Sequence, residues 1–138
     1  MGVNQRVLPL LFLAGIVLPG CGGGVGLYPV KGKVTFQGQP AEGATVVFHR
    51  IGQDNGKEEK PRGTVNAQGE FMLATHPHGD GAPSGEYKVL VVWFPPNARS
   101  ISNPMNKLPD RYALFESTPI TAKVKEENNT LEAFNLSR

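Results

Sequence analysis

Short stretches of apolar–polar alternation recur along this chain. They constrain its fold more than any other feature, because a period of two serves a half-buried strand and no helix. Val30 to Phe36 sets Val30, Val34 and Phe36 on one face and Lys31, Lys33 and Thr35 on the other. After a Gln37-Gly38-Gln39-Pro40 turn, Ala44 to Arg50 points Ala44, Val46 and Phe48 inward. Gly63 to Asn66, Ala67-Gln68-Gly69 and Glu70 to Ala74 predict a hairpin with Gly69 in a left-handed turn position and Phe71 and Leu73 facing the core. Gly85 to Phe94 aligns Tyr87, Val89, Val91 and Trp93, and its other face carries Leu90, Val92 and Phe94. A run apolar on both faces predicts a central strand, or one whose outer face a loop covers. Ile120 to Val124 alternates again, Asn128-Asn129 marks a turn, and Leu131 to Leu136 closes the domain with Phe134 and Leu136 buried. Glycine and proline supply 29 of the 138 residues (17 + 12), which suits short strands joined by many turns. Seven short strands punctuated by turns predict an all-β sandwich.

The N-terminus follows a different logic. Arg6 is the only charged side chain before an apolar run from Val7 to Leu18, interrupted by Pro9 and Gly15. This is the pattern of a secretory signal, and it is too short for a spanning helix, which needs about 20 apolar residues. Leu18-Pro19-Gly20-Cys21 resembles the bacterial lipobox, although Pro19 stands where that motif usually has a small or β-branched residue. The resemblance implies cleavage between Gly20 and Cys21 and a diacylglycerol on the Cys21 thiol. Residues 1–20 are then a signal peptide, and 21–28 a lipidated cysteine with a glycine-rich tether. Residues 29–138 are the folded domain. With about 0.8 kcal/mol per buried CH₂, two or three acyl chains hold such a protein to a membrane essentially for good. Gly22 is not the acidic residue that commonly retains such proteins in the inner membrane, which favours the outer membrane where a cell has one. Cys21 is the only cysteine, so an intramolecular disulfide and a cysteine metal cluster are both excluded.

Charge narrows the partners. Fourteen basic against twelve acidic residues leave +2, and no basic run appears, so nucleic-acid binding has no electrostatic footprint.

Taken in order, Val30-x-Gly32-x-Val34-x-Phe36, Gly43-Ala44-x-Val46-x-Phe48 and Gly69-x-Phe71-x-Leu73 resemble the carboxypeptidase regulatory-like domain. Asp80-Gly81-Ala82-Pro83-x-Gly85-x-Tyr87-x-Val89, followed by Leu108-Pro109-x-x-Tyr112, resembles a bacterial lipoprotein branch of it. The resemblance covers roughly residues 28 to 136. Phe115-Glu116 departs from it, where that branch often carries a proline. It implies a transthyretin-like, seven-stranded Greek-key sandwich, and a non-catalytic accessory, adhesive or folding-support role without a cofactor. One branch of the transthyretin-like fold hydrolyses 5-hydroxyisourate and ends Tyr-Arg-Gly-Ser. This chain ends Asn135-Leu136-Ser137-Arg138 and has no histidine near its first strand, so that activity is the least expected.

Fold alone licenses no function, and the sequence offers few sites. His76, His78 and Asp80 form the one dense group of potential metal ligands, in a Pro/Gly-rich loop lacking a third strong ligand. Asp54-Asn55-Gly56 lacks calcium-loop spacing, and Ser84 lies in no Gly-x-Ser-x-Gly elbow. The long Phe94 to Arg111 segment is a candidate contact loop, with four prolines and the basic residues Arg99, Lys107 and Arg111. The expectation is a lipid-anchored interaction or structural module binding an envelope protein or polysaccharide. A carbohydrate-binding module at the cell surface is the alternative, and an exposed aromatic platform distinguishes it. By its alternation, Trp93 belongs in the core instead.

Overall fold

The computed structural model describes residues 2, 25–52, 56–76, 79–97, 102 and 104–138. They form an all-β architecture of several sheets that is not a closed barrel. Among the described residues there is no α-helix, only a 3₁₀ turn at Asp110–Tyr112, and no helix long and apolar enough to cross a membrane. In chain order the strands are β1 (Leu27–Tyr28), β2 (Val30–Phe36), β3 (Gln39–Pro40), β4 (Thr45–Arg50), β5 (Arg62–Thr64) and β6 (Glu70–Met72). They continue with β7 (Ala82–Pro83), β8 (Gly85–Val92), β9 (Thr121–Val124), β10 (Asn129–Thr130) and β11 (Phe134–Leu136).

The first sheet is organised on β2. One edge of β2 pairs antiparallel with β6 and β3, and the other pairs parallel with β10 and then β11. Asn129 lies opposite Val30 but Phe134 lies opposite Val34. The register therefore slips by one residue between β10 and β11, where Leu131 to Ala133 oppose only Gly32 and Lys33 of β2. The second sheet runs β5-β4-β8-β9, antiparallel throughout. A two-residue ladder of β1 with β7 lies where the chain enters the domain.

Alternation along β2, β4 and β8 delivers the core. Val30, Val34, Ala44, Val46, Phe48, Tyr87, Val89 and Val91 are buried between the layers. Each large side chain so buried contributes roughly 1.5–3 kcal/mol. One aromatic pair bridges the two sheets, with Phe48 of β4 6.4 Å from Phe71 of β6, while Tyr87 of the neighbouring strand β8 lies 5.5 Å from Phe48. Phe71 in turn stacks on Phe134 of β11 at 5.9 Å. As its composition predicts, β8 is central, between β4 and β9. Its outer face is also partly covered. Lys88 Nζ donates to the Phe115 carbonyl at 2.8 Å and lies over the Phe115 ring, while the buried Thr118 hydroxyl donates to Val89 O at 2.6 Å.

Three local expectations need correction. The predicted hairpin has its turn, with Gly69 at φ +81 and the Asn66 carboxamide oxygen accepting from Gln68 and Glu70 N–H. Its arms, however, join different sheets: β5 pairs with β4 and β6 with β2, and the arms are linked by the Asn66 N–H bond to Glu70 O at the turn and by the bridge of Arg62 with Ala74. Each arm finds a full-length neighbour this way, and Gly63 lets the arms cross, since a Cβ there would collide with the Met72 carbonyl. Phe36 and Trp93 are half-buried, because both lie where their strands run out of the sandwich. Asn129 opens β10 instead of sitting in a turn; its buried side chain shapes the preceding turn by accepting from Lys125 N–H and donating to the carbonyls of Lys125 and Glu127.

Candidate functional site

Strand direction defines two poles. Leu27–Tyr28 enters beside β7, where β2 and β8 begin. This entry pole also carries the loop that follows Arg50 and the 75–81 loop. Residues 125–128 turn there as well. At the far pole β2 ends at Phe36 and β8 at Val92, and there the 93–109 connection leaves the sheet.

The far-pole connection is pinned at its neck. Trp93 N–H donates to Asn106 Oδ1 at 2.8 Å, Leu108 N–H donates to the same oxygen at 3.2 Å, and Lys107 N–H donates to Trp93 O at 2.8 Å. Trp93 Nε1 donates to the Glu42 carbonyl at 2.8 Å, and the indole packs edge-on against Phe36. The Lys107 ammonium lies 4.6 Å from the centre of the Trp93 ring, a cation–π contact worth about 0.5–1 kcal/mol at an exposed position. The indole is thus a fastener with one face already covered. Two large apolar side chains beside this neck reach solvent: Phe94 is 40% exposed and Met105 81% exposed.

Arg111 serves the C-terminal strand. Its guanidinium donates to Ser137 O at 2.7 Å and to the Tyr112 hydroxyl at 3.3 Å, while that hydroxyl donates to Ser137 O and accepts from Ser137 N–H. Burial pushes the Tyr112 phenol upward, but its bonds to the Ser137 backbone and to Arg111 outweigh this and hold it below the ordinary tyrosine value. Of the expected contact residues, Lys107 and Arg111 therefore make internal bonds, one on each flank of the buried Leu108. Arg99 lies outside the described residues, as do Gly20, Cys21 and His78.

His76 and Asp80 do meet, at 3.0 Å between Nδ1 and Oδ2. The Asp80 carboxylate also accepts from the N–H of Thr75 at 2.8 Å and of His76 at 3.1 Å, which ties Thr75 and His76 to Asp80. Partial burial raises its pKa, yet the two backbone donors and the imidazole more than compensate, and the group is held below the usual aspartate value. Glu59 stands 3.9 Å from the far side of the imidazole. Among the described residues, no group of three or more His, Cys, Asp and Glu is placed to hold a metal ion.

Sequence reasoning missed Asn106 and Asn129, whose carboxamides organise the far-pole neck and the β9–β10 turn. Nothing local separates Asn106 from Asn97 or Asn103 in the same segment; only the return of the chain to Trp93 singles it out.

No family model matches the chain, and no curated protein matches it. Among solved structures it is similar to a DUF3823 family protein from Parabacteroides merdae, at 18% identity and a TM-score of 0.39, over 83% of this chain and 46% of that one. It is also similar to a 9R-lipoxygenase from Cyanothece, at 14% identity and a TM-score of 0.41, over 80% of this chain and 16% of that one. The chain thus spans less than half the length of either neighbour.

Proposed function

We propose that this chain is a non-catalytic, lipid-anchored module of the bacterial cell envelope that docks a partner protein through its far pole. The observation carrying this reading is the opposition of the two poles. The chain enters the domain at one end, while Phe94 and Met105 are exposed at the other. A tether at Cys21 turns the far pole outward from the membrane, on the outer membrane where the cell has one. Gly22 to Gly26 includes four glycines, a composition suited to a linker between anchor and domain. Protein contact is favoured over sugar stacking because Lys107 already covers a face of Trp93.

The carboxypeptidase regulatory-like reading of the fold belongs to the same proposal. Setting aside the two-residue pieces β1, β3 and β7, and joining β10 to β11 along one edge of β2, leaves seven strands in two layers. That count supports the seven-stranded Greek-key sandwich expected from the motifs.

Photo-crosslinking in native envelopes tests the function. A benzophenone amino acid at position 94 or 105 should give one dominant protein adduct, and the same label at Glu126 of the entry pole should give none. Equal labelling from both poles, or no adduct from the far pole, overturns the docking model. The anchor is tested separately by intact mass, which should correspond to a chain beginning at Cys21 and carrying acyl groups; Cys21→Ala should remain uncleaved.

A further inference from the structure

The outer face of the first sheet is left uncovered. Lys31 and Lys33 of β2 alternate with the buried Val30, Gly32 and Val34 and so project away from the core, beside Glu70 and Met72 of β6. An open groove of about 570 Å³ runs along this face, from Lys31 to Asn66. A second concavity of about 280 Å³ extends it to Asn128 near the entry pole, sharing Lys31, Met72 and Thr130. The whole is a trough along β2, long and narrow, not a closed pocket.

Its lining combines two chemistries. Met72 is 62% exposed at the join of the two concavities, an adaptable apolar floor of the kind that packs against C–H surfaces. Around it stand ammonium, hydroxyl and carboxamide groups. Two lysines face one carboxylate, and Glu70 lies 3.6 Å from Lys33. Lys31 has no ion-pair partner among the described residues, so the trough carries an uncompensated positive charge. Lys31 and Lys33 are two residues apart on one strand, about 7 Å along its axis.

Backbone pairing decides which kind of chain fits. Both edges of β2 are occupied, by β3 and β6 on one side and by β10 and β11 on the other. Over β2 itself an extended peptide therefore finds no free ladder, so strand addition, its usual source of affinity on a sheet, does not operate across the floor of the trough. Over β2 the groups on offer are side chains, chiefly the two ammonium donors, and they suit a ligand that brings its own acceptors.

We propose that the trough binds a linear polysaccharide bearing carboxylates, with Lys31 and Lys33 on its charged groups and Met72 against a ring face. This site is distinct from the far pole and does not depend on the docking proposed there.

Calorimetric titration of the detergent-solubilised full-length chain with oligogalacturonate tests it, with a neutral cello-oligosaccharide as control. Saturable binding to oligogalacturonate is expected, weakening as salt rises. Lys31→Glu should weaken it by roughly tenfold or more, as expected for losing a charge-assisted contact. Met72→Ala, which leaves the charge untouched, should weaken it by a smaller factor. Both positions are exposed, and an unchanged thermal melt shows that the variants fold. Absence of saturable binding overturns the proposal. Equal binding of the neutral oligomer, or binding indifferent to Lys31→Glu, does so as well. Phe94→Ala should leave the titration unchanged, which separates failure here from failure of the far-pole reading.

Discussion

At Gly81 the backbone adopts φ +93, and a Cβ would collide with the Tyr28 carbonyl of the entering strand. Its N–H donates to Leu73 O, and its carbonyl accepts from the Thr75 hydroxyl, so the residue has no room to shift. Gly81→Ala combines backbone strain with a forced displacement of β1 and should destabilise the domain by on the order of 3–5 kcal/mol, read from the urea midpoint. A loss below about 1 kcal/mol means that β1 can leave without disturbing the sandwich. Thr118 illustrates a quieter dependence. Its buried hydroxyl both donates to Val89 O and accepts from Ile120 N–H, a pairing worth about 1 kcal/mol per bond. It ties the end of the far-pole crossover to the strand that the crossover has just left.

Among the elements, β2, β4 and β9 were legible in the sequence because each writes its half-burial as alternation, and β8 because a run apolar on both faces marks a central strand. Partner choice was not legible. Whether Phe71 sits on a hairpin or on β2 depends on Gly32, nearly forty positions earlier, whose missing side chain leaves space for the Phe71 ring. The site divides in the same way: the long connection stood out by composition, while the place of Trp93 at its neck and the carboxamide that pins it there did not. Loops held by a single charged group give a pH signature. Asp80 has a depressed pKa in the fold, so its stabilising contribution is present above the ordinary aspartate value near 4 and is lost as pH falls through the lower folded value. Stability measured by urea unfolding should therefore decline below about pH 4 in the parent chain. Asp80→Asn should be less stable at neutral pH and should lack that part of the decline; a parallel decline in both proteins would assign the acid sensitivity elsewhere.

Considered whole, the molecule ties its first long strand to its last. β2 is completed by β10 and β11, about a hundred residues later, and Arg111 and Tyr112 clamp the chain just past β11. Removing residues 132–138 takes away the buried Leu136 and the Phe134 ring that stacks on Phe71. The shortened chain should show no cooperative urea transition; a cooperative transition with near-parent midpoint would mean that β2 is satisfied by β3 and β6 alone. This head-to-tail parallel pairing also fixes the order of events during synthesis. Contacts of such high sequence separation form late and slowly, and β2 keeps one edge open until the final strand has emerged. A chain delivered N-terminus first through a narrow pore thus stays threadable until β10 and β11 have followed β2 through.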